Sequence, residues 1–165
     1  MRLPTTLVAA RHASPLGGIL LAATPHGLAG LWFEGQRYHP DIRHWRFDPS
    51  DALLRRAMAQ LDEYFAGTRT RFELPLDLQG GTPFQQDVWR ALLSIPCGQR
   101  TSYGELSRRI GRPEAARAVG AAVGRNPVSV VVPCHRVLGA DGSLTGYAGG
   151  LDRKTALLRL ESQAG

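Results

Sequence analysis

Between Leu7 and Phe33 short apolar runs alternate with the turn sequences Ser14-Pro15-Leu16-Gly17-Gly18 and Thr24-Pro25-His26-Gly27, the pattern of strands joined by turns in a small antiparallel sheet. From Asp51 to Ala66 the period changes. Leu53, Leu54, Ala57, Leu61, Tyr64 and Phe65 fall on one helical stripe, and Gly67 closes it. An extended segment, Phe72 to Leu78, leads to Gly80-Gly81, which marks a junction between domains at residues 1–80 and 81–165. A plain loop within one domain is the alternative.

The second half reads as mainly helical. Thr82-Pro83-Phe84-Gln85 combines a capping Thr, a Pro at the first helical position and a Gln that completes a capping box, so a helix runs to about Ser94 and buries Phe84, Val88, Trp89 and Leu92. Ser102-x-x-Glu105 starts a short helix through Leu106 and Ile110 that stops at Gly111; Pro113 starts another, Glu114 to Val123, ending at Gly124. Two short helices around a Gly-containing turn form a helix-turn-helix, used for DNA and also for plain helix packing. On the second helix Arg117 shares a stripe with Gly120, Ala121 and Gly124, a bare face from which one cation rises. Asn126-Pro127 then turns the chain into a strand, Val128 to Val132, which Pro133 ends. A Gly-rich loop from Gly139 to Gly150 surrounds Tyr147, and a last helix runs from Asp152 to about Leu160 with Ala156, Leu157 and Leu160 inward and Glu161 at its end. The whole is an α+β fold: a small N-terminal antiparallel sheet plus helix, then a mainly helical C-terminal domain with a helix-turn-helix and a short active-site strand.

Charge sharpens the division. Nineteen of the 20 basic residues are arginines, and the net charge is +6; residues 1–80 carry +1 of it and residues 81–165 carry +5. A basic helical half points to phosphate contacts. Two cysteines without CxxC or Cys/His ligand spacing make neither a disulfide framework nor a zinc site, and they suit a reducing cytoplasm. Cys97 lies in a turn. Arg2, Pro4, Arg11 and His12 break any signal-peptide core, and no apolar run reaches membrane-spanning length, so a soluble, unprocessed protein is expected.

Cys134 stands where an apolar run meets a proline, in Val130-Val131-Val132-Pro133-Cys134-His135-Arg136-Val137. The thiolate is the reactive form, and a neighbouring imidazole and guanidinium would raise its share. A buried, inert small hydrophobe is the other reading of such a cysteine.

In order and spacing, Asn126-Pro127, Pro133-Cys134-His135-Arg136-Val137, Gly146-Tyr147-Ala148-Gly149-Gly150 and Lys154-x-x-Leu157-Leu158-x-x-Glu161 closely resemble the O6-alkylguanine-DNA alkyltransferases. The likeness runs from about Thr82 to Glu161, and the N-terminal half matches more loosely, through the Ser14-Pro15-Leu16-Gly17 start and up to the Phe84-Gln85-x-x-Val88-Trp89 entry. It implies stoichiometric, irreversible transfer of an alkyl group from O6 of guanine, and from O4 of thymine, in duplex DNA to Cys134, after the base is flipped from the minor-groove side. His135 is then the base acting through a water, and Glu161 the carboxylate that orients it. Tyr103 assists rotation of the nucleotide and protonates the departing guanine, and Asn126 braces the active-site turn. Arg117 fills the vacated place in the duplex, with Ala116, Gly120, Ala121, Arg125 and Arg136 also at the DNA. Val137, Tyr147, Ala148 and Gly149 line the base pocket.

The resemblance further implies a cytoplasmic monomer, cooperative on DNA, with no metal, no cofactor and no obligate protein partner. The zinc site of some members is absent in its usual form, since no cysteine precedes Cys97. Two rivals remain at this point: a protein that flips the damaged base without repairing it, and a thiol hydrolase built on Cys134, His135 and Glu161. The first would lack the cysteine; the second leaves the Arg117 helix unexplained.

Overall fold

A computed structural model describes residue 3 and residues 6–164, so Arg2 and Pro4 lie outside the described residues. Four strands form the N-terminal sheet: β1 (Val8–His12), β2 (Ile19–Thr24), β3 (Gly27–Phe33) and β4 (Arg46–Phe47), in the order β3-β2-β1-β4. The first three pair antiparallel as the alternation predicts, and the short β4 adds a parallel edge. Alternation sorts β2 between two cores. Ile19, Leu21 and Ala23 face the main core under helix α1 (Ala52–Phe65), whereas Leu20 and Ala22 join Trp32 in a second cluster beneath Ile42 and Trp45.

Helix α1 starts at Asp51, whose carboxylate accepts from the Leu54 amide at 3.1 Å, as an N-cap should. Helix α2 (Pro83–Leu92) carries the full capping box between Thr82 and Gln85. Trp89 of α2 donates its indole N–H to the Ala122 carbonyl at 2.8 Å and so pins the helix-turn-helix to the body. That motif is α3 (Tyr103–Arg109), turned by Gly111 at φ 76°, and α4 (Ala116–Gly124). The second helix begins two residues later than its proline suggests, because Pro113 and Glu114 sit in a turn.

Both unpaired stretches of β3's outer edge are covered by chain from elsewhere. Leu28 exchanges main-chain bonds with Pro75 and Asp77, and Leu31 with Pro127 and Ser129. The main core accordingly runs through both halves of the chain.

The expected strand Val128–Val132 is not formed. Only Val128 bridges to Leu31; Ser129 to Val131 turn, with the Val132 amide donating to the Val128 carbonyl at 2.9 Å and Val130 held at φ 71°. The reason is local. Asn126 bonds both ends of the loop, so its side chain supplies what a ladder partner would have supplied. The short strand of the site comes after the cysteine instead: β6 (Val137–Leu138), parallel to β5 (Thr101–Ser102).

Helix α5 (Leu151–Gln163) is longer than predicted, and its inward stripe is Lys154, Leu157, Leu158 and Glu161. Ala156 and Leu160 are only half-buried. The stripe is rotated because both charged side chains find partners inside. No helix among the described residues is long and apolar enough to cross a membrane.

Candidate active site

Cys134, His135 and Arg136 form one 3₁₀ turn, and all three are buried. Successive side chains of such a turn diverge by about 120°, so the thiol and the imidazole leave the backbone on different sides. His135 Nε2 meets Glu161 Oε2 at 2.7 Å, with both side chains fully buried. Nδ1 of the same ring is buried without a protein partner.

Arg136 corrects an expectation. It is not at the DNA face: it is 7% exposed, and its Nε and Nη2 donate to the two Glu161 oxygens at 2.8 and 2.9 Å. Nη1 donates to the Ile95 carbonyl at 2.5 Å. A guanidinium so enclosed balances the buried carboxylate.

Asn126 Nδ2 donates to the Val132 carbonyl at 2.8 Å, its Oδ1 accepts from the Val128 amide at 3.0 Å, and its side chain also bonds the thiol. Lys154, wholly buried, donates Nζ to the carbonyls of Val137 at 2.6 Å and Thr145 at 3.2 Å. These bonds tie the base of the Gly-rich loop to β6 behind the thiol.

The electrostatics follow from burial. It pushes the Cys134 thiol up to about 11, against the Asn126 bond and the positive charge of Lys154. The flanking cation therefore does not raise the thiolate share, contrary to the reading of the sequence, because Arg136 turns to Glu161. Burial also pulls His135 below its usual value despite Glu161, and lowers Lys154. Burial opposes the charge on Glu161, but the bonds from His135 and Arg136 prevail and hold it well below the ordinary carboxylate range. Around neutrality the thiol and the imidazole are both neutral, beside a carboxylate that is not.

A groove of about 1140 Å³ lies between the helix-turn-helix and the Gly-rich loop; Cys134 is not among the residues that line it. Tyr103, Ala116, Arg117, Gly120, Ala121 and Arg125 line one side, Gly146, Tyr147 and Ala148 another, and Arg37 and Tyr38 reach it from the N-terminal half. Tyr103 Oη and Thr145 Oγ1 lie 2.9 Å apart, joining α3 to the Gly-rich loop. Arg117 is exposed, and the Arg125 guanidinium lies 3.7 Å from the centroid of the Tyr38 ring.

Two expected pocket residues lie elsewhere. Val137 is completely buried in β6, and Gly149 is buried behind Tyr147, where a Cβ would fall 2.6 Å from the Tyr147 ring. The absence of a side chain at Gly149 leaves room for the Tyr147 ring.

The sequence reading missed Tyr64, whose hydroxyl donates to Glu161 Oε2 at 2.6 Å, and gave Lys154 no role. Lys154 had a signal: it sits seven residues before Glu161, so both charges share one inward helical face. Tyr64 had none, its partner being 97 positions away.

Fold and site thus define an α+β protein in which a helix-turn-helix lines a groove and a thiol, an imidazole and a carboxylate are buried together in the same half. Residues 7–78 match the family model described as 6-O-methylguanine DNA methyltransferase, ribonuclease-like domain, and residues 83–163 match its DNA binding domain. A methylated-DNA–protein-cysteine methyltransferase of Mycobacterium tuberculosis is 53% identical over 148 residues, 90% of this chain and 88% of that protein. One from Methanosarcina acetivorans is 47% identical over 149 residues, 90% of this chain and 94% of its own length. The crystal structure of Mycobacterium tuberculosis OGT in complex with DNA superposes with a TM-score of 0.89 at 48% identity, covering 96% of this chain and 94% of that one. The chain belongs to the methylated-DNA–protein-cysteine methyltransferase family.

Proposed function

We propose that this protein repairs duplex DNA by moving an alkyl group from O6 of guanine, and from O4 of thymine, onto Cys134 Sγ, once per molecule. The observation that carries the reading is the arrangement at His135. Its Nε2 is engaged by the Glu161 carboxylate, which leaves Nδ1, buried and without a protein partner, as the basic nitrogen. At pH 7 a thiol titrating near 11 is ionised in only about one molecule in ten thousand. Proton removal must therefore accompany attack, and Nδ1, through a water, is the acceptor.

The step balances. Sγ forms a bond to the alkyl carbon, the carbon–O6 bond breaks with its electron pair going to guanine, and the guanine takes a proton from Tyr103. The thiol's own proton, held at His135, restores the tyrosine by way of solvent. The product is a thioether, which has no carbonyl for water to attack, so Cys134 is not regenerated. Positioning and proton transfer supply the rate.

The lesion lies inside the duplex and the thiol is buried, so the nucleotide rotates out into the groove. The small residues on α4 admit the sugar-phosphate walls, Arg117 takes the vacated place, and Tyr147 and Ala148 receive the base. The sheet-bearing and helical halves, residues 1–80 and 81–165, divide the work, the second holding DNA and acceptor. The protein acts as a cytoplasmic monomer, cooperative on DNA, and binds without a metal, cofactor or obligate protein partner.

Intact-mass measurement with a duplex carrying O6-methylguanine tests this directly. The protein gains the mass of about one methylene, stops at one equivalent, and the gain is absent in Cys134→Ala. Repeated turnovers, or tight binding with the lesion left intact, would overturn it.

A further inference from the structure

Glu161 has a donor from outside the C-terminal half. Tyr64, on α1, reaches Oε2 with its hydroxyl at 2.6 Å, and the same oxygen accepts His135 Nε2 at 2.7 Å and Arg136 Nη2 at 2.9 Å. Its ring is 2% exposed and wedged between Phe65 and Phe72, each 5.3 Å away between centroids, so the hydroxyl has a fixed direction.

We infer that Tyr64 is a positioning residue for alkyl transfer: it fixes and shares the Glu161 oxygen that orients His135, so the N-terminal half takes part in activating the thiol. The inference rests on the role of His135 proposed above. An oxygen that serves three donors gives each less than it would give two. Without the tyrosine hydroxyl, more of the carboxylate's charge falls on the imidazole and favours its protonated form, which cannot accept the thiol's proton. The other groups around the carboxylate are Arg136 and Cys97, with Lys154, Tyr147 and Cys134 behind them, and Tyr64→Phe leaves all of them in place.

The test is the pH dependence of single-turnover transfer from a saturating O6-methylguanine duplex, for wild type and Tyr64→Phe, with melting temperatures measured alongside. The wild-type rate falls on the acid side as His135 protonates. In Tyr64→Phe that limb moves to higher pH by about one unit, the worth of a hydrogen bond to a charged group. A limb that stays in place or moves down overturns the inference, even where the whole profile drops or the melting temperature falls, since both are what lost packing alone would do. If the wild type transfers the alkyl group but has no acid limb, the role of His135 itself is wrong and the inference falls with it.

Discussion

Asn126 and Val132 are joined side chain to main chain at 2.8 Å, across a turn in which Val130 is held in the left-handed region. A β-branched residue rarely adopts that conformation unless its surroundings impose it. The amide of Asn126 is what imposes it here, and the turn it closes delivers Cys134. Asn126→Ala leaves the Val128 amide buried without a partner and the Val132 carbonyl with the Cys134 amide alone. Stability is expected to fall by about 2 kcal/mol in urea titration, and transfer by at least about tenfold in single-turnover assays.

Acid destabilises the protein in two windows. His135 titrates below its ordinary 6.5 because of burial, so the unfolded chain takes up its proton first; its contribution is present above 6.5 and lost as pH falls through the folded value. Glu161 is held below 4.5, and its contribution is likewise present above that and lost further down. Urea midpoints measured from pH 8 down to about 2 should lose the first decline in His135→Asn and the second in Glu161→Gln. The glutamine variant also loses about 3–5 kcal/mol at pH 7, because Arg136 is left buried without its counter-charge.

Alkali acts on the thiol with the opposite sign. The Cys134 value is raised from 9.0 to about 11, so the folded protein keeps a proton that the unfolded chain releases. Stability from this group is fully present below 9 and is lost as pH rises through 11, a decline of about 2–3 kcal/mol. The decline is expected to be missing from both Cys134→Ala and the methylated protein, neither of which has a thiol to ionise. An equal decline in all three would assign it to other groups.

The two arginines that the sequence placed together at the DNA separate experimentally. Arg136→Met strips Glu161 of its cation and costs about 3–5 kcal/mol of stability, while the salt dependence of DNA affinity stays as in wild type. Arg117→Ala leaves the melting temperature near wild type and slows transfer from duplex DNA. Filter binding over a salt series and thermal melts distinguish them.

Element types were legible wherever local chemistry decided them: Asp51, Thr82 and Ser102 announce the starts of α1, α2 and α3, and each caps its helix. The His135–Glu161 pair came from the family pattern, and the geometry brings the two together. What could not be read was set by distant partners. Val128–Val132 has the composition of a strand, but Asn126 closes it into a turn. Arg136 has the look of a phosphate ligand because sequence shows its charge and not its direction, and Tyr64 passed for one more apolar residue on a helical stripe.

The edge of β3 carries one further consequence. Pro127 and Ser129 seal it at Leu31, so the segment that delivers the thiol is also what keeps a hydrophobic strand from pairing with another molecule. Lesions in the Asn126–Ser129 turn will therefore show themselves in the cell as insoluble protein before they show as slow repair, and solubility becomes a reporter on the integrity of the acceptor site.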